Sequence, residues 1–254
     1  MRLYNFSQFI QESKNPCWTG YKQIGLKKKN GKMVPNCVQI KESDEESTYS
    51  FDELSQKAKE NAIQSNREIA IEGFDWWDPI IEDFTENLEE IGMSNVNCEF
   101  SGFYSQGDGA SFTGRVSDNK KFLDALGVNP FRAEKAPLAP EKFEVAFIEF
   151  CDRIYISIDR DSSRYYHHNT ISAEVELDGD DEIELDLGFG ALVELKVTKL
   201  CDEIEPAITE WARASSKQLY NNLEKYYEEQ TSDETIEEDL RSGGYEFDED
   251  GNLV

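Results

Sequence analysis

The charges of this 254-residue chain are segregated, and that segregation limits where a core can form. Residues 13–41 contain seven lysines (Lys14, Lys22, Lys27, Lys28, Lys29, Lys32 and Lys41) and no acidic residue. Residues 42–254 hold 18 basic and 52 acidic residues, a net charge of −34, against −27 for the whole chain. The lysine-rich stretch carries Pro16, Gly20, Gly25, Gly31 and Pro35 and has no regular apolar period. It reads as an extended, mobile arm outside any core. In the acidic remainder the apolar content supports a fold. Hydrophobics at 38% and aromatics at 12% of the chain are too rich for disorder. No run approaches the ~18–20 apolar residues of a membrane span, and the body's charge opposes contact with nucleic-acid phosphates.

Period and punctuation divide the chain into an amino-terminal segment, residues 1–12, a basic arm, residues 13–46, and an acidic body, residues 47–254. Leu3, Phe6, Phe9 and Ile10 fall at helical spacing in the first segment. In the body, Ser50 and Glu53 form a capping-box pattern that predicts a helix running to about residue 69. Asp75 can cap a second helix, with Pro79 in its first turn and Gly92 at its end. Strands are predicted at 96–104 and 110–116, joined by a turn at Ser105-Gln106-Gly107-Asp108-Gly109. Helices follow Asp118 and cover 141–152, and strands cover 154–158, 169–177 and 183–187. A long helix is predicted from Pro206 to about residue 229, then a short one capped by Ser232 and a small terminal hairpin from Tyr245. The strands meander. The expected architecture is therefore α+β, an antiparallel sheet of about five or six strands with helices packed on one face.

Chemical motifs are sparse. The five cysteines are scattered, with no CxxC pair, and read as reduced thiols in a cytosolic setting. Cys17 with Cys37 would need two further ligands to hold zinc, so no metal is expected. The surroundings of Cys98, Cys151 and Cys201 are apolar and should raise their pKa values. FSGFYSQGDGASFTGR is glycine-rich but lacks the Gly-Lys-Ser/Thr of a phosphate loop. It reads either as a structural turn or as a ligand loop using Ser105, Gln106, Asp108 and Arg115. Residues 160–169 hold both histidines. Arg164 can hold an anion there while Tyr165 or Tyr166 stacks on a ring. On a strand His167 and His168 point to opposite faces, so one of them, taken here as His167, would serve the site. The competing reading is a loop entering a sheet edge. The cluster of Asp178, Asp180, Asp181 and Glu182 lacks EF-hand spacing and reads as a solvated acidic turn. No catalytic motif or cofactor signature is found, and the chain is not read as an enzyme.

The opening MRLYNFSQFIQE, a short Met-initial peptide ending Phe-Ile-x-Glu, resembles the capsid-targeting sequence of T-even-type tailed phages. The resemblance implies entry into the prohead and cleavage by the prohead protease after the Glu of an Ile/Leu-x-Glu motif. The matching residues are Ile10 and Glu12, with Ser13 as the new amino terminus. The tripeptide recurs six times further along the acidic chain, and of these only Ile40 and Glu42, before Ser43, also flank the lysine-rich stretch. The bland alternative is a terminal helix docked on the body. The stretch NPCWTGYKQIGLKKKNGKMVPNCV resembles a segment that follows such leaders in phage head proteins. YSFDELSQKAKENAI, the Trp-Trp helix, FSGFYSQGDGASFTG and TSDETIEEDL with YEFDEDGNLV resemble a broad group of small uncharacterised phage proteins.

These resemblances lead to an internal head protein, packaged with the genome inside the virion and then delivered to the host cytoplasm. The expected partners are the prohead protease, packaged DNA through the basic arm, and a host defence or DNA-binding protein through the acidic body. A body with rows of carboxylates can imitate a phosphate backbone and block a restriction-type enzyme. Acidity for solubility is the plainer reading of the same charge. Two other functions remain open: a binding module for a nucleotide or other phosphorylated ligand, and a purely structural head component.

Overall fold

The computed structural model describes residues 17, 21–29, 32–39, 48–73, 75–131, 140–161, 164–186 and 192–254. The amino-terminal segment and the expected processing residues Ile10, Glu12, Ser13, Ile40, Glu42 and Ser43 lie outside these residues. The chain divides into two compact units: Met1–Asn66 with Glu237–Val254, and Arg67–Ile236.

In the first unit, β1 (Tyr21–Lys29) and β2 (Lys32–Gln39) form an antiparallel hairpin. Lys29 pairs with Lys32, which corrects the expectation of an extended, mobile arm; the Asn-Gly dipeptide at 30–31 is a hairpin signal of the sequence. A disulfide joins Cys17 to Cys37 with a Cα–Cα distance of 5.7 Å. The reading of all five cysteines as reduced thiols is therefore corrected for this pair. Their spacing of 20 residues gave no motif, and only the folding back of the strand brings the sulfurs together.

The same unit contains β3 (Tyr49–Ser50) and α1 (Gln56–Ser65). The Glu53 carboxylate accepts bonds from Ser50 N and Oγ, as the capping pattern implied, but it closes only a single 3-10 turn. Ser55 then caps α1 by accepting from Ala58 N at 3.2 Å.

The second unit is built on four strands: β4 (Met93–Phe100), β5 (Ala110–Val116), β6 (Ile154–Arg160) and β7 (Ile171–Leu177). They lie in that order and all pair antiparallel. Around them stand α2 (Asp78–Glu90), α3 (Asn119–Leu126), α4 (Pro140–Cys151) and α5 (Val197–Gln230). The register Ile154↔Leu177, Ile156↔Val175, Ile158↔Ala173 aligns one apolar face. Those residues join Phe112, Leu88, Phe122, Phe147, Phe150, Ile204 and Ile208 in one core. Ser172, Glu174, Glu176 and Asp159 are exposed on the other face. Such apolar-in, polar-out alternation marks a sheet covered on one side.

The largest sheet thus has four strands where five or six were expected. The strand expected near 183–187, β8 (Glu182–Asp186), pairs instead with β9 (Leu192–Lys196), which the sequence reading missed. Alternation shows that a segment is a strand, but it does not choose its neighbour. After α6 (Asp233–Ser242), β10 (Glu246–Phe247) pairs with β3 in the first unit. Helix α5 begins nine residues before Pro206, which lies inside it. Its start is fixed from the turn before β8: the Asp181 carboxylate accepts from Thr198 N and Oγ1, both at 2.9 Å. Thr198's backbone donor, above all, holds Asp181 below the usual carboxylate pKa. The acidic turn is therefore a helix cap as well as a charged surface.

Candidate functional site

Two segments singled out in the sequence meet in the second unit. The β4–β5 loop is tied at its neck by Ser101 N donating to Gly109 O at 3.0 Å and Gly109 N donating to Ser101 Oγ at 3.3 Å. At its tip Ser105 N donates to Asp108 Oδ2 at 2.6 Å, and Asp108 N returns a bond to Ser105 O at 3.1 Å. Ser105 and Asp108 thus spend part of their polar capacity on each other, while Gln106 is exposed between them. Gly107 has φ +97°, and a Cβ there would stand 2.8 Å from the Tyr165 ring. At Gly109 a Cβ would lie 2.9 Å from His167 Cα. Both glycines exist to let the 164–168 segment lie directly on the loop.

That closeness changes the role of Tyr165. Its ring has Gly107 against it, and the Arg164 guanidinium lies 4.9 Å from the ring centre while donating to Tyr165 Oη at 2.7 Å. Tyr165 is a packing post between loop and arginine, and the stacking platform expected from the sequence is largely taken up within the protein. Arg160 stacks on Tyr166 at 4.6 Å and pairs with Glu99 at 3.3 Å.

The histidines also depart from expectation. Residues His168–Thr170 form a 3-10 turn, not strand, so the two rings lie side by side with centres 4.0 Å apart. His167 Nδ1 accepts from Asn169 N at 3.2 Å. Burial, above all, pushes the His168 pKa down, assisted by His167, Lys217 and Arg213. Arg213 and Lys217 come from α5, one turn apart, and the sequence reading missed them. Their signal was present: residues 211–223 contain these two cations and no acid in a chain with 53 Asp and Glu. Arg115 is not part of this assembly. It lies six residues beyond Gly109, about 20 Å along an extended strand, where its guanidinium stacks on Tyr155 at 5.8 Å.

The loop is also anchored from below. Tyr220 Oη donates to Phe103 O at 3.3 Å, and Phe103 packs with Trp76, Phe100 and Tyr227. Burial raises the pKa of Tyr220 and Tyr227. The thiols behave as their surroundings implied: burial pushes Cys98 and Cys201 up to about 11 and Cys151 to about 12. Among the described residues no group of three His, Cys, Asp or Glu side chains is placed to hold a metal ion. No described helix is long and apolar enough to cross a membrane.

Outside this assembly, α2 exposes a different pattern. Asp78, Glu82, Glu86 and Glu90 recur every fourth residue, flanked by Asp83 and Glu89, and all six are exposed. The helix carries no basic residue. Like charges at this spacing each cost an isolated helix about 0.2–0.5 kcal/mol, so burial of Leu88 and the half-buried Ile80, Ile81 and Phe84 must hold it.

The fold is thus α+β, with its principal sheet antiparallel and its polar loops drawn together at one end of β5 and β6. Residues 76–233 match the family described as a domain of unknown function (DUF8835), and the chain belongs to that family. The match covers the whole four-stranded sheet and stops short of the lysine hairpin. No curated protein and no solved structure matches the chain.

Proposed function

We propose that this chain is an internal head protein of a tailed phage, cut by the prohead protease after Glu12 and Glu42, packaged with the genome and delivered to the host cytoplasm. There its acidic body occupies the basic cleft of a DNA-acting defence enzyme. The observation that carries the second half is the α2 row. Four carboxylates rise along one helix about 6 Å apart, with no counter-charge on that helix and at a cost to its own stability. A linear run of fixed negative charge is what a phosphate-reading cleft attracts. The resemblance of residues 1–12 and of the lysine stretch to phage head proteins supports the first half. Inhibition of a host restriction or nuclease activity by residues 43–254 is the test. Glu82→Lys with Glu86→Lys should weaken inhibition at least tenfold and flatten its salt dependence. Inhibition untouched by salt and by these changes contradicts mimicry, and no inhibition at all favours a purely structural head component.

A second reading is favoured by the acid-free stretch 211–223 of α5. Arg213 and Lys217 place positive charge beside His168, whose segment lies against the glycine-rich loop. This would suit a nucleotide or other phosphorylated ligand. Calorimetry against nucleotides, with Lys217→Ala as control, separates this reading from the first.

A further inference from the structure

The hairpin β1–β2 inverts the charge of the chain and also its usual relation to solvent. Ile24, Leu26 and Met33 are all exposed, beside exposed Lys27, Lys28, Lys29 and Lys32. We propose that this hairpin is a β-ribbon that grips duplex DNA by its phosphates without reading sequence, and that the Cys17–Cys37 bond keeps it competent to do so. The inference rests on the packaging reading only in taking DNA as the polyanion at hand.

The register carries the argument. Lys29 faces Lys32, Lys28 faces Met33 and Lys27 faces Val34. Side chains alternate along a strand, so Lys27, Lys29 and Lys32 share one face at the tip. Like charges directly opposite each other destabilise a strand pair, and residues 13–41 offer no acid to offset them. The arrangement works against the hairpin until an anion arrives. On the other face Lys28 stands across from Met33 and two residues from Leu26. That charge interrupts the apolar surface a membrane-lying element needs, which favours phosphate over lipid. A two-stranded ribbon fits the ~12 Å major groove of B-DNA, whose charges are spaced about 1.7 Å along the axis.

The disulfide supplies what the ribbon lacks. A lone two-stranded hairpin is marginal in water, and this one keeps its large apolar side chains exposed. Closing the chain between Cys17 and Cys37, 20 residues apart, limits the open states that would scatter the three lysines.

The test is fluorescence anisotropy of the full chain, oxidised, with a short random-sequence duplex over a salt series. The expected slope of log affinity against log salt is about −2.7, from three phosphate contacts. Lys27→Ala with Lys29→Ala and Lys32→Ala should cost at least about tenfold and remove most of that slope. Lys28→Ala, on the other face, should change little and shows that the hairpin still forms. Reduction, or Cys37→Ser, should weaken binding severalfold. Binding equal to wild type in the triple variant, or indifferent to reduction, overturns the proposal, as does no binding at low salt. Binding to anionic vesicles without binding to DNA overturns it in favour of a lipid surface. Packaging itself is read separately, from the content of virions, so either reading can fail without the other.

Discussion

The lysine hairpin and the four-stranded sheet are both antiparallel β-structure, yet they are held by different physics. In the sheet Ile156 and Ile158 are fully buried, and Phe147 and Phe150 close over them from α4. In the hairpin Ile24 is 57% and Met33 60% exposed, and a covalent bond stands where the sheet has a core. The sheet falls inside the family match and the hairpin outside it. A strand pair can therefore be kept either by burial or by closing the chain, and the second way leaves Ile24, Leu26, Met33 and the lysines at the tip exposed.

The largest expected effect falls on the sheet. Phe147→Ala removes a fully buried ring and should cost about 3–5 kcal/mol in denaturant unfolding, leaving the hairpin's amide exchange unchanged if the units are held independently. Reduction of Cys17–Cys37 should do the reverse. It gives up about 3 kcal/mol of loop closure, accelerating exchange at residues 21–39 while the main unfolding transition stays in place. In the same experiment no native thiol should react quickly before reduction and two should afterwards, since Cys98, Cys151 and Cys201 are buried or partly buried with raised pKa values. Gly107→Ala combines an unfavourable φ with a clash against Tyr165 and should cost about 1–3 kcal/mol, with its spectral changes confined to the loop and residues 164–168. The smallest effect is a pH slope. His168 binds its proton less readily folded than unfolded, so its contribution is intact above its ordinary value of 6.5 and declines as pH falls below it. His168→Asn should flatten the stability profile there.

Much of the body could be read before the structure was known, because local rules decide it. Asp118 caps α3 by accepting from Lys121 N, β5 spans Ala110–Val116 as expected, and Ser232 Oγ accepts from Thr235 N at the start of α6. The misses share a cause, since each depends on a partner distant in sequence. Asp181 starts α5 before Pro206, β9 captures β8, and Cys37 finds Cys17. The candidate site was half legible. Glycines and an Arg-Tyr-His run mark two loops, but their contact through Gly107 and Tyr165, and the cations lent by α5, arise only in the fold. The Asn-Gly signal at 30–31 is legible too, but the glycines, prolines and missing apolar period around it point to a mobile arm instead.

The account's central claim is that the lysine stretch and the acidic body part company on the way into the virion. Mass spectrometry of purified virions tests this most directly. The account predicts a chain beginning at Ser43, with a minor form beginning at Ser13. A chain found only in infected-cell extract, absent from virions and still beginning at Met1, would contradict it.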